Sequence, residues 1–276
     1  MSYQSPNLAR SLFRTKPVPN SKQDRILGAL MGAAIGDVMG SCLQGKSKEE
    51  ITSIYGEKGI TAPPHDSLIS HNFQLVLFAI DALIVNARKN KKLSITEISN
   101  CLLKARDEWT EILLKPRFIG DNKDNINNIC SNFMKNHPLW KVKRKNQNYL
   151  LNSKANQIVP LAIALFLFAN ERTSREVIKE LNKKLGFPEV DLQISNVLNL
   201  FGERVEASKE VIFHSMEEIR IKINNSKSPA LEGLIGGFEQ GAHYGIKGFK
   251  NLWYLRIDAI NLIEQMGWQV GRFFGI

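Results

Sequence analysis

The chain has little of what lets covalent or metal cross-links hold a fold. Cysteine occurs three times in 276 residues, as Cys42, Cys101 and Cys130. The number is odd, the spacing is wide and no C-x-x-C pair is present, which argues against a disulfide frame or a thiolate zinc site and fits reduced thiols in the cytoplasm. Long apolar runs are missing as well: the longest, residues 158–169 and 26–40, are too short for a membrane span and read as buried helices. No Pro/Gly/Ser-rich linker divides the chain, so 24–276 reads as one domain, and no repeat of 20–50 residues suggests a solenoid. The N-terminus has no apolar core of a secretory signal, so export is not expected. Alternating β-branched stretches are nearly absent, while 3.6-residue periodicity and capping signals recur, which predicts an all-α fold.

Against these absences stand two glycine ladders. Gly28, Gly32, Gly36 and Gly40 open the chain, and Gly233, Gly237, Gly241 and Gly245 come near its end. Glycine inside a helix costs roughly 1 kcal/mol relative to alanine, so each ladder gives up about 3–4 kcal/mol of helix propensity. Close helix contact would offset that, because the i±4 ridges interlock and a ridge without side chains admits another backbone. The ladders therefore predict two central helices of a bundle.

The formal net charge is +10, gathered in RKNKK at 88–92, KVKRK at 141–145 and the segment 1–23. That segment carries Arg10, Arg14, Lys16 and Lys22 with no acidic residue, and Leu8, Leu12 and Phe13 at near-helical spacing. It reads as a basic flexible arm that docks on an acidic protein surface through Leu8, Arg10, Leu12, Phe13 and Arg14, or as an organelle transit peptide. No helix-turn-helix, zinc-finger or RNA-recognition signature supports specific nucleic-acid binding.

Periodicity places helices at 24–40, 47–55, 73–89, 94–113, 122–136, 154–170, 173–185, 191–201, 204–223, 229–245 and 250–268. Capping boxes at Ser47…Glu50, Ser94…Glu97 and Thr173…Glu176 mark three of the starts. Ser228-Pro229 supplies a serine N-cap with proline at the first helical position.

The segments RILGALMGAAIGDVMGSCLQG at 25–45, SHNFQLVLFAIDAL at 70–83, ANQIVPLAIAL at 155–165 and EGLIGGFEQGAHYGIKGF at 232–249 follow one another in an order that resembles the ADP-ribosylglycohydrolase family. The resemblance implies a compact all-α fold around a cleft. In active members the cleft holds two magnesium ions, bound by a T-D-D-T motif on one side and D-x-D-T on the other, with a glutamate after the first glycine ladder and an arginine in M-R-x-x-P. Such ions need anionic oxygen ligands at about 2.0–2.1 Å and activate water to release ADP-ribose from a modified side chain.

Aligned with those motifs, this chain carries Ser70, His71, Asn72 and Phe73, then Ser228, Pro229, Ala230 and Leu231, with Gln44 for the glutamate and Gln157 for the arginine. Every charged or metal-binding position is replaced, while the glycines and Asp37 remain. The expectation is that no metal and no cofactor are used, and that Gln44, Ser70, His71, Asn72, Ser228, Ala230 and Leu231 are degenerate positions. Asp37, Gln157 and His71 are the residues left to contact a ligand. The leading reading is an inactive relative that binds a protein as scaffold, adaptor or structural subunit. One alternative is a sensor that binds ADP-ribose or a related nucleotide without hydrolysis. The other is a divergent hydrolase that removes ADP-ribose by way of Asp37, His71 or Glu232.

Overall fold

The computed structural model describes residues 21–89, 93–114, 130–141, 154–169, 171–186, 216–249 and 253–273. Most of the basic arm, with Leu8, Arg10, Leu12, Phe13 and Arg14, lies outside the described residues. So do the predicted helix at 191–201, residues 204–215 and 122–129 of two others, most of the KVKRK run and residues 90–92.

Helix α1, Lys22–Ser41, is the axis around which the rest packs, and every residue from Ile26 to Gly40 is buried. Ser21 caps it by accepting the Asp24 amide at 3.2 Å, so it starts two residues ahead of expectation. The short α2, Lys48–Tyr55, opens with the predicted capping box: the Glu50 amide donates to Ser47 Oγ at 3.2 Å and the Ser47 amide to the Glu50 carboxylate at 2.7 Å. Helix α3, His71–Lys89, is followed by α4, Ile95–Leu114, where Ser94 and Glu97 repeat the box at 2.7 and 3.2 Å. The single turn α5, Asn132–Lys135, precedes a 3₁₀ turn at Pro138–Lys141. The remaining helices are α6, Lys154–Phe166; α7, Glu171–Leu185; α8, Met216–Asn225; α9, Pro229–Tyr244; and α10, Ile260–Phe273. The described residues contain no strand, only one parallel bridge between Ser67 and Ile257. The fold is all-α.

Three further boundaries and one cap correct the sequence reading. The Thr173…Glu176 pair does not mark the helix start: α7 begins at Glu171, Thr173 falls inside its first turn, and Glu176 pairs with Arg172 at 3.2 Å. Ser228 precedes Pro229 as expected but makes no side-chain cap; its carbonyl takes the Leu231 and Glu232 amides at 3.1 Å each, while its own amide donates to Ser226 Oγ at 2.9 Å. Helix α6 ends at Phe166, where 3₁₀-type bonds from Leu167 and Phe168 take over. The last helix begins at Ile260 because the preceding segment is engaged elsewhere: the Ser67 amide donates to the Arg256 carbonyl at 2.8 Å and the Asp258 amide to the Ser67 carbonyl at 3.0 Å.

The two ladders meet. A Cβ built on Gly32 would stand 2.0 Å from the Gly237 carbonyl oxygen and one on Gly36 1.8 Å from that of Gly233. The relation is reciprocal, since a Cβ on Gly233 would lie 2.0 Å from Gly36 O and one on Gly237 1.9 Å from Gly32 O. Gly28 sits against Gly241 and Gly245, and Gly40 against Pro229, so α1 and α9 run antiparallel with backbone touching backbone. Carbonyl oxygens set against Cα–H groups in this way add weak hydrogen bonds to the close packing. Helices α3 and α10 also pack on α1, α4 and α6 on α3, and α8 on α9.

Candidate functional site

The two helix starts of interest converge on residues 36–40 of α1. On one side, Asp37 is fully buried and faces the start of α3. Its carboxylate accepts the Ser70 amide at 2.7 Å and the Ser70 hydroxyl at 2.5 Å, while Ser70 Oγ itself accepts the Asn72 amide at 3.1 Å. Ser70 is thus the N-cap of α3, and Asp37 supplies negative charge where the helix end is positive. Asp258 assists from the far end of the chain by accepting the Ile69 amide at 3.0 Å. The loop leading in is held by Arg256, which donates to the Pro63 carbonyl at 2.9 Å.

His71 and Asn72 are buried, at 4% and 2% exposure. The His71 ring meets the Trp109 ring of α4 edge-on, with centroids 6.3 Å apart. Asn72 Oδ1 and Trp109 Nε1 are enclosed without a hydrogen-bond partner. One turn from Trp109, Arg106 lies between Asp107, at 2.6 Å, and Gln157 of α6, whose amide oxygen it approaches at 3.5 Å.

On the other side, the start of α9 presses on the end of α1: a Cβ on Gly40 would come 2.0 Å from Pro229 O and 2.6 Å from Ala230 Cα. Pro229, Ala230 and Leu231 are buried, and Glu232, the nearest carboxylate beyond them, is exposed. Gln44 lies in the turn after α1 and is half-buried. Further along α9, burial raises Glu239 to about 7, against the pull of Lys222 and with a smaller push from Glu232.

The structure therefore joins Asp37 directly to Ser70 and sets the α9 start one turn further along the same helix. A dinuclear magnesium centre does not fit these residues. The Ser70 hydroxyl and the Asp37 carboxylate are bonded to each other, His71 and Asn72 offer no anionic oxygen, and Ala230 and Leu231 offer none either. Among the described residues no group of three or more His, Cys, Asp or Glu side chains is placed to hold a metal ion. Arg106, Trp109 and Asp258 were missed from the sequence, because each reaches the site only through packing of elements far apart in the chain.

A family model described as ADP-ribosylglycohydrolase matches residues 18–182, more than half of the chain. The match spans α1 to α6 and most of α7, and leaves α8, α9 and α10 beyond it. No curated protein matches the chain.

Proposed function

Because the chain belongs to the ADP-ribosylglycohydrolase family, we propose that it is a member without hydrolase activity that works by binding a protein, as a scaffold, adaptor or structural subunit. The observation that carries this reading is the pairing at the start of α3. Where the family resemblance leads one to expect carboxylates turned to a metal, Ser70 instead bonds inward to Asp37, and His71 packs on Trp109. Hydrolysis of a glycosidic bond needs charge at the reacting centre, supplied by metal or by an acid–base pair. The Asp37 carboxylate, the nearest buried candidate, already takes two donors from Ser70. In this reading residues 24–276 form one domain, and the basic arm 1–23 engages an acidic surface of the partner.

Incubation with an ADP-ribosylated protein, with and without Mg²⁺, should release no ADP-ribose; metal-dependent release would overturn the reading. Mass spectrometry of material co-purifying with the native protein at low salt should identify a stable partner. Deletion of residues 1–20 should weaken that association.

One observation favours a second reading, the non-hydrolysing ADP-ribose or nucleotide sensor. Arg106 brings a guanidinium to within 3.5 Å of Gln157, the position that carries an arginine in the family pattern. A diphosphate would have a cation there after all. Calorimetry with ADP-ribose tests it: binding that is lost in Arg106→Ala supports the sensor, and no heat at millimolar ligand dismisses it.

A further inference from the structure

We propose that the groove between α2, the turn at residues 56–60 and α8 docks an acidic peptide segment of a partner protein, one with aliphatic residues between its carboxylates. The groove measures about 270 Å³, and Lys48, Ile51, Thr52, Lys58, Arg220 and Ile221 stand among its lining residues. The inference takes the kind of occupant from the partner-binding reading. The site itself is argued from the groove.

The walls are tied together before anything binds. Arg220 of α8 donates to the Lys58 carbonyl and, with two further N–H groups, to both oxygens of Glu217. Asn224, one turn on, accepts the Ile60 amide at 3.0 Å and donates to the Arg220 carbonyl at 2.8 Å. A groove fixed in this way loses little freedom when a ligand enters.

Its charges are unequally committed. Glu217 is spent on Arg220, and Glu50 caps the Ser47 amide at 2.7 Å. Glu49 is drawn to Ser47, a bond that holds its carboxyl below the ordinary range, with a smaller pull from the Lys48 charge beside it. Lys48 and Lys58 form no ion pair among the described residues, and the groove's lining sets these two lysines and Arg220 against the single carboxylate of Glu57. The cations select an acidic occupant.

An aliphatic surface lies beside them. Ile221 is 49% exposed on the α8 wall, and the nearly buried Ile51 lines the same groove. A free anion would satisfy the lysines and leave Ile221 in water. A peptide that alternates acid and aliphatic side chains covers both.

The test uses the full chain and a short fluorescein-labelled peptide alternating glutamate and leucine, read by anisotropy. The double reversal K48E/K58E should weaken binding by about tenfold or more, as expected for two rim charges, and added salt should weaken it further. Ile221→Ala should also reduce affinity, while removal of residues 1–20 should leave it unchanged. Both lysines are exposed, and circular dichroism checks that the variants stay folded. Equal affinity of K48E/K58E and the parent would overturn the proposal, as would equal binding of a lysine–leucine peptide. Displacement of the probe by millimolar inorganic phosphate would make this a small-anion site and overturn the peptide. Binding lost only with residues 1–20 would assign the probe to the arm, which removes the groove but leaves the partner-binding reading standing.

Discussion

Asp37 and Ser70 show how a buried carboxylate is held inside the fold. Two donors from one residue satisfy it, and the same serine starts a helix. Ser70→Ala removes the hydroxyl from a buried anion and the cap from Asn72, and should lower stability by about 1–3 kcal/mol in urea unfolding. Glu239 offers a pH test. Its folded value of about 7 exceeds the ordinary 4.5, so the folded protein holds this proton more tightly than the unfolded chain. The resulting stability is fully present below pH 4.5 and is lost as pH rises through 7. Glu239→Gln should flatten that decline, by about 1–3 kcal/mol across the window, when unfolding is followed from pH 5 to 8. The thiols should separate as sharply. Burial raises Cys101 to about 12 and pushes Cys130 well above its ordinary value, whereas Cys42 is only partly buried and hydrogen-bonds Tyr55. A maleimide at pH 8 should label Cys42 first and leave Cys101 and Cys130 untouched until denaturant is added.

Helices α1 and α9 were readable in the sequence because a four-residue glycine period has few other physical uses. Their antiparallel pairing was not, since either direction would satisfy the same pattern. Gly36→Ala or Gly237→Ala should cost about 3 kcal/mol or more, because the added methyl meets a carbonyl on a helix that cannot yield locally. Gly45→Ala is the control: open space surrounds it, and its φ of 76° costs only about 1 kcal/mol. Denaturant midpoints of the three variants should separate the two cases. The boxes at Ser47 and Ser94 were readable for a local reason, as both partners lie within four residues. Thr173 failed as a start signal because the helix was already under way at Glu171. The start of α10 failed for the opposite reason: hydrogen bonds from Ser67, nearly two hundred residues earlier, hold the chain at Arg256 and Asp258.

Across the protein, the residues that align with the family's motifs were visible one by one, and their burial was not. Whether Ser70 faced a cleft or an aspartate depended on α1 and α3 meeting, and Arg106 found Gln157 only because α4 and α6 both pack on α3. The charge of +10 was plain from composition, but where it stays uncommitted depends on which glutamates are spent on caps and ion pairs. On the partner-binding reading proposed above, association should therefore fall steeply between 50 and 300 mM salt, as co-purification at the two ionic strengths would reveal. The same expectation does not extend to the interior.

Along the glycine ladders, α1 and α9 meet backbone to backbone, with almost no rotamers at the line of contact. Nothing there has to be frozen when the helices meet, and no side chain can swing aside to let water reach the peptide groups. Amide protons along Gly28–Gly36 and Gly233–Gly241 should therefore be among the last to exchange with deuterium, opening only with the whole protein, while α2 and α8 open earlier and alone.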